Sequence, residues 1–176
     1  MAVNLLQWRN ENNQLWSKCN EYISEDEVFE INEIAKLSMS RLNKKAAELM
    51  GKYKVGACTD VTGFGLTGHC QNLATAQKIS LKFEINLLPV LYKTDVISKN
   101  AFNFQLCEGY SAETSGGLLV IIDKMDSQNY LKDLLENGQW GWIIGKVEEG
   151  NRTVEISKNV KIEYVRETML YFLHKF

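Results

Sequence analysis

Apolar residues recur at helical spacing over residues 25–50, where Val28, Ile31, Ala35, Leu42, Ala46 and Leu49 alternate with Glu, Lys and Arg. That is the three-to-four-residue period of a single buried face. Ser24 followed by Glu27 forms a capping box, whose hydroxyl and carboxylate satisfy orphan amides at a helix start, and Gly51 supplies the stop. One long helix over 25–50 is predicted. VGACTDV (55–61) reads as a short buried strand running into the glycine-rich turn TGFGLTG and a second helix to about Lys78. ISLKFEI (79–85) has the period-two alternation of a half-buried strand. Pro89 breaks the pattern, and a short helix is predicted around 91–99. GGLLVIID (116–123) reads as a fully buried strand opened by a glycine pair. DSQNYLKDLLENG (126–138) reads as a helix with Asp126 at its N-cap and Gly138 as terminator. WGWIIGKV, RTVEIS and VKIEYV are predicted as three closing strands, parted at Gly150–Asn151 and Lys158–Asn159 and pairing antiparallel. Interleaved helices and strands of this kind make an α+β fold, a mixed sheet packed with helices.

Composition narrows the possibilities. The chain has 176 residues, 45% of them hydrophobic, which fits one compact domain of roughly 100–200 residues. Its single proline, Pro89, leaves no Pro-rich linker at which to divide it. Lys and Arg number 20 against 22 Asp and Glu, for a net charge of −2. Nucleic acid and acidic membranes reward a basic excess, so neither is expected as a partner. No apolar run approaches the roughly 18 residues of a membrane span, and MAVNLLQWRNENNQ lacks the basic and apolar regions of a signal peptide. Cys19, Cys58, Cys70 and Cys107 are widely spaced, without CxxC. They are expected to be buried or idle thiols in a reducing, cytoplasmic setting, not a disulfide framework or zinc site.

The most informative segment is Thr59–His69, TDVTGFGLTGH. Gly63, Gly65 and Gly68 at a strand-to-helix junction let backbone amides approach an anion, and the helix adds its positive end. Asp60 at the strand's end is placed to hold Mg²⁺, which takes one or two carboxylates plus phosphate oxygens. An equal alternative is a tight steric turn with Asp60 as a helix cap. The segment lacks the Lys-Ser/Thr of a P-loop, and its GxGxxG spacing has no acidic partner at the end of the next strand. Glu113–Gly117, ETSGG, presents hydroxyls and amides before a strand, although spacing alone favours an ordinary turn. Neither loop contains Lys or Arg. His69 reads as a packed structural residue. Trp140 and Trp142, alternating on a strand, read as core or sheet-face packing, Trp8 and Trp16 as cover for a neighbouring surface, and the terminal MLYFLHKF as a docking segment.

TDVTGFGLTGH closely resembles the C-terminal-domain signature of the selenophosphate synthetase (selenide, water dikinase) family, and SAETSGGLLVI resembles that family's ETSGG turn. AVNLLQW, LNKKAAELM, GHCQNLA and WIIGKVEEGNRT extend the resemblance over residues 2–165, most closely to the eukaryotic branch. It implies a fold like the aminoimidazole ribonucleotide synthetase C-terminal domain. It also implies an ATP-dependent reaction that converts selenide, ATP and water to selenophosphate, AMP and phosphate for selenocysteine synthesis. By resemblance, Asp60 matches the metal-binding aspartate facing a Mg²⁺–ATP cleft. Thr62, Gly63 and Gly65, with Thr114, Ser115, Gly116 and Gly117, match the turns beside the nucleotide. The family's reactive Cys or selenocysteine, lysine, further aspartates and glycine-rich loop lie in an N-terminal domain that this chain does not match. Residues 1–176 are therefore expected to be a single C-terminal domain with no catalytic residue of its own and no activity in isolation. Its implied partners are that N-terminal domain, a homodimer in the complete enzyme, and the small molecules ATP and selenide. Ala112 departs from the proline common ahead of ETSGG, which loosens the turn. Two rivals share the scaffold: another phosphate-activating synthetase, and a standalone regulatory or binding domain or paralogue without dikinase activity.

Overall fold

The computed structural model describes residues 1–166; the terminal MLYFLHKF segment lies outside them. The chain opens with three helices, α1 (Ala2–Glu11), α2 (Gln14–Cys19) and α3 (Glu25–Ser40). The first two are not evident from periodicity, being short and separated by a polar run. Asn12 ends α1 in a left-handed conformation at φ 47°, and the Asn13 side chain then caps α2 by accepting from the amides of Leu15 and Trp16. Packing sustains helices this short. Leu5, Trp8, Trp16, Cys19, Ile23, Val28 and Ile31 form one buried cluster with Ile97. Trp8 and Trp16 thus belong to the chain's own core and do not cover a neighbouring surface. The capping box at α3 is formed, with Glu27 N–H donating to Ser24 Oγ and Ser24 N–H donating to Glu27 Oε2.

The helix predicted over 25–50 is two helices. After α3 the backbone extends at Arg41 (ψ 126°), and α4 (Lys44–Met50) follows. Tertiary bonds outcompete helix continuation at the break. The Arg41 guanidinium donates to Gly138 O and lies 4.9 Å over the Trp140 ring, while Asn43 Nδ2 donates to Gly116 O at 2.9 Å. Leu42, expected on the apolar face, is 74% exposed. Val28 and Ile31 serve the first cluster, whereas Leu49 joins Tyr130 and Leu134 in another.

The remaining elements are β1 (Val55–Asp60), α5 (Gly65–Ala76), β2 (Leu81–Leu91), α6 (Thr94–Asn100), β3 (Leu118–Ile122), α7 (Lys124–Glu136), β4 (Gly145–Glu149) and β5 (Thr153–Val165). β1 and β3 pair antiparallel as a two-stranded ribbon, and a second sheet has the order β4-β2-β5. β4 is antiparallel to β2, but β5 is parallel to it. The three expected closing strands are therefore two. Residues 140–144 carry no strand, and β5 runs through Lys158–Asn159 as a bulge, with Ile156 opposite Ile85 and Lys161 opposite Leu87. Instead of forming a hairpin, residues 150–152 cross the start of β2, where Arg152 N–H donates to Leu81 O at 2.6 Å. Pro89 lies within β2, opposite Glu163. β4 pairs only as far as Ile85, so β2 has an open side there, where a residue lacking N–H is tolerated.

Other differences are local. In β3 only Leu119 is fully buried, because the ribbon has no third strand. α7 begins earlier than predicted: Asp123 is its cap, accepting from Met125 N–H, while Asp126 accepts from Lys54 N–H beside β1. Trp140 and Trp142 meet edge to face at 6.2 Å in an irregular segment and pack on Ile34 and Val165. Cys70 and Ala74 of α5 pack with Leu81, Phe83, Ile85, Leu88, Val90 and Leu119, so α5 joins the ribbon to the larger sheet. The α+β class, a mixed sheet with packed helices, holds. No helix among the described residues is long and apolar enough to cross a membrane.

Candidate functional site

The ribbon's end brings the two glycine motifs together. Asp60 pairs opposite Leu118, Val61 N–H donates to Gly117 O at 3.0 Å, and Glu113 N–H donates to Thr62 O at 3.1 Å. TDVTG and ETSGG, about fifty residues apart in sequence, thus lie edge to edge. Thr62 is the junction. Its N–H donates to His69 Nε2 at 2.9 Å, and its carbonyl accepts from both Gly65 and Glu113. His69 is buried, as expected of a structural residue, and its ring lies 5.6 Å from that of Phe64.

The start of α5 is less open than its glycine spacing implies. Gly65 is buried at φ +68°, and a Cβ there would lie 2.6 Å from Gly109 O and 2.7 Å from the Tyr110 carbonyl carbon. Its N–H is taken by Thr62 O, and that of Thr67 by Gly109 O at 2.9 Å. The Thr67 hydroxyl donates to Glu108 O. Residues 108–111 therefore clamp the first turn of the helix and take the Thr67 amide that an anion would otherwise meet. No motif in the sequence marks this clamp.

Gly63 and Gly117 differ. Both are exposed, and a Cβ at either would meet nothing within 4 Å. Gly116 is closed, since its Cβ would collide with Val61 O. Thr114 and Ser115 are exposed, with Ser115 at φ 50°. Among the described residues, the amides of Gly63, Phe64, Thr114, Ser115, Gly116 and Gly117 have no backbone acceptor. Successive unpaired amides in such a turn suit an anion.

Asp60 is exposed beside this edge, and none of the ion pairs among the described residues involves it. No group of three or more metal-ligating side chains occurs among the described residues. Asp60 therefore fits a divalent ion only as one carboxylate among ligands from elsewhere, a mode that suits Mg²⁺. Crowding by protein raises the Glu113 carboxyl above its ordinary pKa, opposed by the Met1 ammonium. All four thiols are free. Burial pushes Cys70 up to about 12; partial desolvation, then the Asp60 carboxylate, raises Cys58, although that residue is exposed. These shifts favour idle thiols over nucleophiles.

Residues 15–158 match the family described as AIR synthase related protein, C-terminal domain. The chain is 39% identical over 160 residues to "Selenide, water dikinase 2" of Homo sapiens, covering 89% of this chain and 36% of that protein. It is 38% identical over 164 residues to "Selenide, water dikinase" of Dictyostelium discoideum, covering 92% of this chain and 45% of that protein. Over 116 residues it is 47% identical to "Probable selenide, water dikinase" of Caenorhabditis elegans, 62% of this chain and 30% of that one. The chain thus spans less than half the length of these relatives. It belongs to the family of AIR synthase related C-terminal domains, and within that family it resembles the selenide, water dikinases.

Proposed function

We propose that this chain is the Mg²⁺–ATP-facing domain of a selenide, water dikinase, and that selenophosphate formation is completed with groups from a companion domain. The carrying observation is the ribbon end itself: amides from both motifs without a backbone acceptor flank an Asp60 carboxylate that pairs with no cation among the described residues. Asp60 would hold Mg²⁺, with Gly63, Phe64 and Thr114–Gly117 donating N–H groups to phosphate oxygens. Bound Mg²⁺ would supply neutralisation of the phosphate charge. Thr62 and Gly65 act one layer back, since the carbonyl of one holds the amide of the other. The Thr114 and Ser115 hydroxyls are free to turn toward the same anion. Phosphoryl transfer needs further carboxylates and cationic clamps. The lone carboxylate here also favours a second reading, a nucleotide-binding module without dikinase activity.

Phosphorus NMR of a longer protein carrying this domain, given selenide and Mg²⁺–ATP, separates the two. The dikinase reading predicts selenophosphate and AMP, lost on Asp60→Asn with the thermal midpoint unchanged. ATP binding without either product supports the binding module. Normal turnover by Asp60→Asn removes that residue from the metal role. The 176-residue chain alone is expected to form no selenophosphate.

A further inference from the structure

We propose that His69 is the positioning residue of this edge, acting through the Thr62 peptide and not on ligand; its functional part rests on the Mg²⁺–nucleotide reading above. Nε2 of His69 lies 2.9 Å from Thr62 N and 3.2 Å from Thr62 Oγ1. A backbone N–H only donates, so Nε2 presents its lone pair and the ring proton sits on Nδ1. Thr62 is thereby gripped on both sides of its Cα, the N–H of the 61–62 peptide by His69 and the carbonyl of the 62–63 peptide by the Gly65 and Glu113 amides. Each peptide unit is planar and only φ and ψ turn between them, so holding both units fixes the dihedrals of Thr62 and how the chain leaves it toward Gly63. It also fixes where Glu113, and hence the ETSGG turn, sits against the end of β1.

The ring is itself held in place. His69 is buried and Phe64 tilts at 59° to it. Gly68 makes room for Phe64, since a Cβ at 68 would lie 2.8 Å from the Phe64 Cβ. Phe64 therefore covers the histidine and also contributes one of the unpaired amides. Thr62 N–H is spent on His69 and Val61 N–H on Gly117 O, which leaves the anion to the Gly63 and Phe64 amides that follow. Loss of the acceptor would free the Thr62 peptide to rotate and uncouple the two motifs.

The test uses the ¹⁵N-labelled 176-residue chain, with His69→Leu, which removes the acceptor, and His69→Gln, whose side-chain carbonyl restores one. In wild type the imidazole spectrum should show protonated Nδ1 and unprotonated Nε2. His69→Leu should speed Thr62 amide exchange about tenfold, as expected for one lost hydrogen bond. It should also shift the Gly63 and Glu113–Gly117 resonances and weaken their response to Mg²⁺–ATP, while His69→Gln recovers all three. Protonated Nε2 in wild type, or unchanged Thr62 exchange in His69→Leu, would overturn the proposal. Should His69→Leu not fold, the wild-type ring spectrum and the Thr62 exchange of His69→Gln decide the matter. A wild-type chain with the predicted ring and exchange but no response to Mg²⁺–ATP would count against the nucleotide reading alone.

Discussion

Gly65 and Gly117 are glycines of two signature turns, held there by different physics. At Gly65 the backbone is left-handed and a Cβ would strike the 109–110 backbone, so Gly65→Ala should cost about 2–4 kcal/mol. At Gly117 a Cβ meets open space, so Gly117→Ala should change stability by no more than about 0.5 kcal/mol. If Gly117 amides face phosphate, that substitution should still weaken nucleotide binding. Chemical denaturation with a nucleotide titration of both variants checks the contrast; equal stability losses would refute it. The glycine spacing made the turn visible in the sequence. It could not say which glycine is steric, because the colliding atoms belong to residues 109–111, in a segment without a motif.

Among the elements, helix starts were the more legible where the signal was chemical and local. Ser24 and Glu27 close their box as read, and Ser24→Ala should cost about 1 kcal/mol, measurable by thermal melting. The break at Arg41 was illegible because its causes, Gly138, Trp140 and Gly116, lie far along the chain. The parallel β5 was hidden for a similar reason: the three-residue link looks like a hairpin but crosses the start of β2. The α7 region also carries a pH signature. Met125 N–H, then the Lys54 ammonium, holds Asp123 below its ordinary 3.8. Lys52, then Tyr53, holds Asp133 below the same value. Carboxylates depressed in the folded state stabilise above their unfolded pKa, and the contribution is lost as pH falls through the folded one. Thermal midpoints should therefore fall as pH drops below about 4, with a smaller fall in Asp133→Asn. An identical acid profile for that variant would exclude Asp133 as a contributor.

For the whole molecule, the candidate site sits at one end of the two-stranded ribbon. The β1–β3 ribbon carries both motifs, and it is anchored to the larger sheet through Leu119 and the α5 face bearing Cys70 and Ala74. A two-stranded ribbon is marginal alone, so the site's geometry depends on that anchorage. Thiol chemistry reports on it: Cys58 is exposed, while Cys70 and Cys19 are buried. Alkylation should modify Cys58 first and reach Cys70 only on global unfolding. Early modification of Cys70 would show that α5 separates from the sheet. The α+β class and the two motifs were legible in the sequence because local patterning and turn chemistry carry them. Their contact was not, since it rests on strand pairing between distant segments.

The central claim, that both motifs and Asp60 form one metal–nucleotide face, is tested most directly by paramagnetic broadening. Mn²⁺ with ATP is added to the ¹⁵N-labelled chain, and amide signals are followed with and without Asp60→Asn. Broadening of Gly63, Phe64 and Ser115–Gly117 together, abolished in Asp60→Asn, is the predicted result. Broadening confined to another surface, or persisting in Asp60→Asn, would contradict it.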